Sequence, residues 1–307
     1  MTAITPSRLL EYQKPSYKLK PLLIVGDGRS GTTLLMELLG TAPQIVFDRT
    51  HPYETRYLTY LMKWALLLRQ KYQPGDEWNP GRSFDIPGSL VGPLPYMNPT
   101  FWSYEDLWKN CFRSAWNEFS RGAAGRLERP IGSLLFNKPR KTLYYAEKSP
   151  FWLPAYLRDV MPYRVILIVR DPRDVYLSIT AFVKKHGVPG FARLVEDDDW
   201  TFARRFTMCR KTLWEVMRRE EASPNSLIVK YEDLVLNLNQ EAMRIGSWLG
   251  MRLDAGAVES EPAMWAYHAT SKNKVQSVAR WQRELPAELN EFFVRGLQEE
   301  MKHFGYV

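Results

Sequence analysis

Sulfur and metal chemistry have little to work with in this chain. Of 307 residues only two are cysteine, Cys111 and Cys209, and only four are histidine. That excludes a disulfide framework, leaves no metal-ligand spacing and fits a reducing compartment. Long apolar runs are missing too. No window approaches the roughly 20 apolar residues of a membrane span, and the opening MTAITPSRLLEYQKPSYKLK lacks the apolar stretch of a signal peptide. The chain therefore reads as soluble and cytoplasmic, the alternative being a trimmed domain of an anchored or secreted protein. Acidic residues are in deficit, 34 against 42 Lys and Arg, for a formal net charge of +8. This favours anionic partners. The basic residues are scattered, with only doublets such as Lys184-Lys185 and Arg218-Arg219, which argues against a nucleic-acid partner.

One more absence is local. The stretch GDGRSGTTLL, Gly26 to Leu35, follows the apolar PLLIV and precedes leucines at helical spacing, Leu34, Leu35, Leu38 and Leu39. A glycine loop between a buried strand and a helix is where α/β proteins hold phosphate, through unsatisfied backbone N–H groups and the positive end of the helix dipole. Thr32 stands where a nucleotide-triphosphate loop of the pattern G-x-x-x-x-G-K-[ST] carries its lysine. Gly28, Arg29, Ser30, Gly31, Thr32 and Thr33 are the candidate anion-binding residues, Arg29 supplying a planar fork suited to one phosphate. An ATP or GTP enzyme is disfavoured by the missing lysine.

Further strand candidates are YRVILIVR (163–170) and NSLIVKYEDL (225–234), each β-branched and followed by a helical pattern. Strands alternating with helices imply a mainly parallel central sheet flanked by helices. The segment 73–100 is rich in Pro and Gly and reads as a long loop, a lid or acceptor-side wall. After it Phe101, Tyr104, Trp108, Phe112, Ala115 and Phe119 recur at helical intervals and form a buried helix face. A surface helix is expected from Trp200 to Glu221, and a core-packed one in PAELNEFFVRGLQEEMKHFGYV. Residues 1–307 read as one domain with a loop-rich, helical acceptor-side insertion at about 57–140.

The second constellation is VRDPRDVYLS. Arg170 ends a strand, where open α/β sheets bind ligands, and Ser178 follows two helical turns after Pro172, so the pair suits a second anionic group. Local ion pairs, Arg170–Asp171 and Arg173–Asp174, that cap a helix are the competing reading.

Together the two motifs resemble the sulfotransferases that use 3′-phosphoadenosine 5′-phosphosulfate (PAPS). In that family an R-S-G-T-T loop, here Arg29 to Thr33, holds the 5′-phosphosulfate, and an arginine–serine pair eight residues apart, here Arg170 and Ser178, holds the 3′-phosphate. The likeness extends to EKSPF (147–151), KYEDL (230–234) and SVARWQREL (277–285), and covers most of the chain outside 57–140. It implies a P-loop-like α/β fold, with PAPS as co-substrate, adenosine 3′,5′-bisphosphate (PAP) as product and no metal. Lys148 is expected at the bridging oxygen of the leaving group, where negative charge grows. Tyr231, Ser277, Arg280 and Trp281 join the cofactor site by the same likeness.

HPYETRYL is similar to a Glu-Thr-Arg of the Golgi-type and protein-tyrosine sulfotransferases, in which the glutamate is the general base; this makes Glu54 the first candidate. His268 is the second, since imidazole titrates near neutral pH, and His51 is the third. His186 and His303 read as surface positions. The resemblance implies transfer to a hydroxyl, or to an amine as second choice, on a glycan, lipid, peptide tyrosine or small natural product. A P-loop kinase or NTPase and a catalytically silent nucleotide-binding module are the alternatives. Asp27, a carboxylate within an anion loop, is expected to pair with a neighbouring cation such as Lys148 or Lys272.

Overall fold

A computed structural model of the chain describes residues 19–66, 104–127, 143–259, 270–271 and 273–307. Five strands form one sheet: β1 (Leu19–Val25), β2 (Ile45–Val46), β3 (Leu143–Lys148), β4 (Arg164–Val169) and β5 (Ser226–Lys230), in spatial order β2-β3-β1-β4-β5. The β2/β3, β1/β4 and β4/β5 pairings are parallel, with Val25 opposite Leu167 and Val169 opposite Lys230. Val165 through Val169 are all buried, as expected of a parallel strand covered on both faces. The order places β1 between a strand reached on one side and a strand reached on the other. A crevice opens at the carboxyl ends where such a sheet reverses direction.

The helices that flank the sheet are α1 (Thr32–Leu39), α4 (Leu153–Leu157), α5 (Pro172–His186), α6 (Asp199–Glu221), α7 (Tyr231–Leu236), α8 (Leu238–Leu249), α9 (Ala255–Glu259), α10 (Trp281–Glu284), α11 (Ala287–Gly296) and α12 (Gln298–His303). One apolar cluster joins Leu22, Ile24, Ile166, Ile168 and Val229 of the sheet to Leu35, Leu38 and Leu39 of α1 and Ile245 and Leu249 of α8. Another joins Val175, Tyr176, Ile179 and Val183 of α5 to Phe202 and Phe206 of α6 and to Leu289, Phe293, Leu297 and Met301. The expected strand 225–234 ends at Lys230, and Tyr231 starts a helix with acidic residues Glu232 and Asp233 in its first turn, where they complement the dipole. The expected C-terminal helix is two helices that break at Leu297. Helix α6 buries Phe202, Phe206, Leu213, Trp214 and Met217 along one face.

The described residues divide into two compact units. The sheet unit comprises the described residues of 21–56 and 144–307; the other comprises those of 19–20 and 57–143. Within the second unit lie α2 (Tyr57–Leu66) and α3 (Tyr104–Leu127). Helix α3 buries Trp108, Phe112 and Trp116, a strict four-residue spacing. Trp116 therefore takes the core position expected of Ala115, while Ala115 and Phe119 are only partly buried. Phe101 and the 73–100 loop lie outside the described residues.

Candidate functional site

The anion loop is shaped by two left-handed residues, Arg29 with φ 71° and Gly31 with φ 97°. An arginine in that region is strained, and successive residues of this kind turn their N–H groups to one side, making a concavity for an anion. Gly31 has no room for a side chain: an added Cβ would lie 2.3 Å from the Tyr231 ring, and at Gly28 it would lie 2.0 Å from the Phe191 ring. Ser30 is fully buried, and its hydroxyl donates to the Asp27 carbonyl at 2.7 Å. It braces the loop from within. Helix α1 then starts at Thr32 with no side-chain cap, so the N–H groups of its first turn have no partner inside the helix.

The strand β4 end supplies the second arm. Arg170 is 4% exposed; it donates from Nη1 to the Arg29 carbonyl at 2.8 Å and from Nη2 to the Ser277 carbonyl at 2.7 Å, and its guanidinium lies 4.2 Å from the Tyr231 ring centroid. Tyr231 and Ser277 share a hydrogen bond of 2.7 Å between their hydroxyls. Ser178, two turns into α5, accepts from Arg29 Nε at 3.2 Å and meets the Thr270 hydroxyl at 3.1 Å. Arg29, Ser178, Arg170, Tyr231 and Ser277 thus form one connected cluster. Burial first, and then the neighbouring Arg170 charge, lower the Arg29 guanidinium to about 10, which leaves it charged at neutral pH. Of the expected local ion pairs, Asp171 does cap α5, but its salt bridge is with Arg173 at 2.7 Å; Asp174 instead accepts from the Trp281 N–H at 2.8 Å. Arg173 lies 3.5 Å over the Trp281 ring. Arg280 donates to the Thr270 carbonyl at 3.1 Å and pairs with Glu284 at 2.7 Å. A cleft of about 840 Å³ beside this cluster is lined by Lys185, Thr270, Gln276, Arg280 and Arg283.

On the other flank of the loop, β3 delivers Lys148, 6% exposed. Its ammonium donates to Thr33 Oγ1 at 2.9 Å and to the Pro52 carbonyl at 2.5 Å, and lies 3.6 Å from Glu54. Burial is the main cause lowering its pKa to about 8, with the Glu54 carboxylate acting in the opposite direction. Glu54 also faces Arg56 at 3.7 Å, with their side chains 46% and 40% exposed. His51 is pushed below its ordinary value by burial and by Lys148, with Glu54 opposing. His268 lies outside the described residues. His303 is exposed and pairs with Glu221 at 2.9 Å, and His186 is partly buried against Phe182.

Asp27 does not pair with Lys148. Its carboxylate meets Arg210 of α6, a residue 183 positions away that carries no local sequence signal. Lys272, the other expected partner, lies outside the described residues. Phe191 against Gly28 and Thr270 against Ser178 also escape the sequence reading, for the same reason. Among the described residues no group of three or more His, Cys, Asp or Glu is placed to hold a metal ion, and no helix is long and apolar enough to cross a membrane.

Residues 21–255 match the sequence model of the sulfotransferase family. No curated protein matches the chain. Among solved structures it is similar to the sulfotransferase domain from the curacin biosynthetic pathway, with TM-score 0.47 and 14% identity, covering 90% of this chain and 96% of that one. It is likewise similar to retinol dehydratase in complex with androsterone and the inactive cofactor PAP, with TM-score 0.46 and 15% identity, covering 92% and 80%. A third is mouse sulfotransferase SULT7A1 complexed with PAP, with TM-score 0.47 and 14% identity, covering 92% and 85%.

Proposed function

We propose that this chain, which belongs to the sulfotransferase family, moves a sulfuryl group from PAPS to a hydroxyl of its acceptor and releases PAP. One observation carries the reading: two buried cations from different strands grip the ends of one glycine loop, Arg170 at the Arg29 carbonyl and Lys148 at the Thr33 hydroxyl. A nucleotide with an anionic group at each end suits that spacing. Arg170 spends both terminal nitrogens on neutral carbonyls, and its Nε has no acceptor among the described residues. Asp174 and Glu232 lie within its electrostatic reach and offset part of its charge; an anionic ligand would complete the compensation.

Bound PAPS supplies a sulfuryl group whose transfer breaks a sulfur–oxygen bond and leaves negative charge on a 5′-phosphate oxygen. The Lys148 ammonium, Arg29 and the first N–H groups of α1 offset that charge, which is electrostatic stabilisation by groups fixed in advance. Thr32 and Thr33 add hydroxyl donors. Arg170, Ser178, Tyr231, Ser277, Arg280 and Trp281 hold the 3′ end, with the cleft beside Thr270 and Arg280 as its opening. Glu54, 3.6 Å from Lys148, takes the proton of the acceptor hydroxyl as the oxygen attacks sulfur. This pairing puts the base and the leaving-group cation in mutual reach, which favours Glu54 over His51.

Mass spectrometry of a panel of glycan, lipid, tyrosine-peptide and small-molecule hydroxyl acceptors, incubated with PAPS, tests the reading. A product heavier by one sulfuryl group with stoichiometric PAP is the expected outcome. PAP release without any sulfated product would leave the chain a hydrolase of PAPS and overturn the assignment of Glu54.

A further inference from the structure

A carboxylate in an anion-binding loop repels what the loop is built to hold, so Asp27 requires a counter-charge. Arg210 is 1% exposed, and its guanidinium reaches three separate parts of the sheet unit. Nη1 meets the Asp27 carboxylate, two residues before Arg29. Nη2 donates to the carbonyl of Arg170 at 3.2 Å. Nε donates to Glu300 of α12 at 2.6 Å, and Nη2 also forms a salt bridge with the same carboxylate. One side chain therefore touches the loop, the residue that follows β4, and a buried acid on the last helix. The planar fork of arginine serves three acceptors in fixed directions where a lysine would serve one point.

We propose that Arg210 is a positioning residue for the donor nucleotide: it pairs with the Asp27 carboxylate inside the anion loop and holds the loop and the Arg170 arm in register. The assignment rests on the proposed donor site. It adds to it a residue that touches no ligand and a reason for the loop's carboxylate. Arg29 cannot keep its left-handed backbone and its bond to Ser178 if the segment beginning at Asp27 swings free. Arg170 cannot keep its reach to the Arg29 carbonyl if its own carbonyl is released. With Arg210 absent, both cations lose their mutual geometry, Asp27 is left bare beside the anion and Glu300 is left without its partner.

The test is a double-mutant cycle read by calorimetric titration of adenosine 3′,5′-bisphosphate and, in parallel, of inorganic pyrophosphate. Arg210→Met is expected to weaken bisphosphate binding about 30- to 100-fold, the order of one uncompensated charge acting on a nearby phosphate. Adding Asp27→Asn to Arg210→Met is expected to restore all but about fivefold of the affinity, because the repelling charge is gone while the lost bracing remains. Arg210→Lys, which keeps the charge without the fork, falls between the two. A double variant as weak as Arg210→Met alone, or an Arg210→Met variant that binds like the parent, overturns the proposal. Should the parent bind pyrophosphate but show no preference for the bisphosphate, the donor reading fails while the same cycle on pyrophosphate still decides the role of Arg210. If Arg210→Met does not fold because Glu300 loses its partner, the cycle is run with Glu300→Gln in every variant.

Discussion

The two flanks of the anion loop are built differently. Toward β4 and β5 the polar groups are buried and held by partners that are also buried: Arg170 by backbone carbonyls, Arg173 by Asp171, Tyr231 by Ser277. Toward the turn 51–56 Tyr53, Tyr145, Glu147 and Lys148 are buried, but the two charges nearest Lys148 on the turn are not. Glu54 and Arg56 are nearly half exposed and sit in loose pairs of 3.6 and 3.7 Å. The first flank is rigid before any ligand arrives, which suits a nucleotide that never changes. The second has charges free to move toward an incoming acceptor. Prebuilt recognition on one side and adjustable chemistry on the other separate binding from turnover, and each variant below attacks that separation.

The largest effect belongs to the loose flank. Glu54→Gln is expected to lower kcat by about 10²- to 10⁴-fold, the range for removing a general base, with bisphosphate affinity unchanged by calorimetry. A parallel loss of affinity would place Glu54 at the donor and erase the contrast. Lys148→Ala, at the junction of the flanks, is expected to cost about 10²- to 10³-fold in kcat, as for loss of one group that stabilises transition-state charge. Arg170→Ala belongs to the rigid flank and reverses the pattern: the dissociation constant for the bisphosphate rises about 10- to 100-fold, from loss of charge-assisted hydrogen bonds, with a smaller change for adenosine 5′-monophosphate.

Acidity gives a gentler probe. In its proposed role Lys148 must be protonated to offset leaving-group charge, and burial lowers it to about 8. Since kcat/KM reports the free enzyme, kcat/KM for the donor should fall as pH rises through about 8; a plateau to pH 10 would remove Lys148 from that role. The stability sign is opposite. The folded value lies below the ordinary 10.5, so the unfolded chain binds more proton between the two, and Lys148 adds stability as pH rises across that window. The smallest effect is expected for Arg56→Ala, within about 0.5 kcal/mol in urea unfolding because an exposed pair contributes little.

Where chemistry and local pattern coincide, the sequence is readable. PLLIV followed by glycines and leucines marks β1, the loop and α1, and YRVILIVR marks β4 within one residue at each end. LYYAEK shows no such pattern: two tyrosines and a charged end conceal β3, and β2 is only two residues long. The strand that carries Lys148 is therefore visible only in the structure, although the lysine itself is marked by EKSPF. Long-range charge pairing is the harder limit. Nothing near Asp27 points to Arg210, and the nearer lysine, Lys148, is taken by Thr33, Pro52 and Glu54. Burial decides such partnerships, and burial follows from packing of elements far apart in the chain.

The most direct test compares adenosine 3′,5′-bisphosphate, adenosine 5′-monophosphate and Mg·ATP by calorimetry on the unmodified protein. With Arg170 and Ser178 at the proposed 3′ end, the bisphosphate should bind without metal and at least about 100-fold more tightly than the monophosphate, the lower bound for two charge-assisted hydrogen bonds. Equal affinities for bisphosphate and monophosphate, or tighter binding of Mg·ATP than of either, would contradict the donor site proposed for this chain.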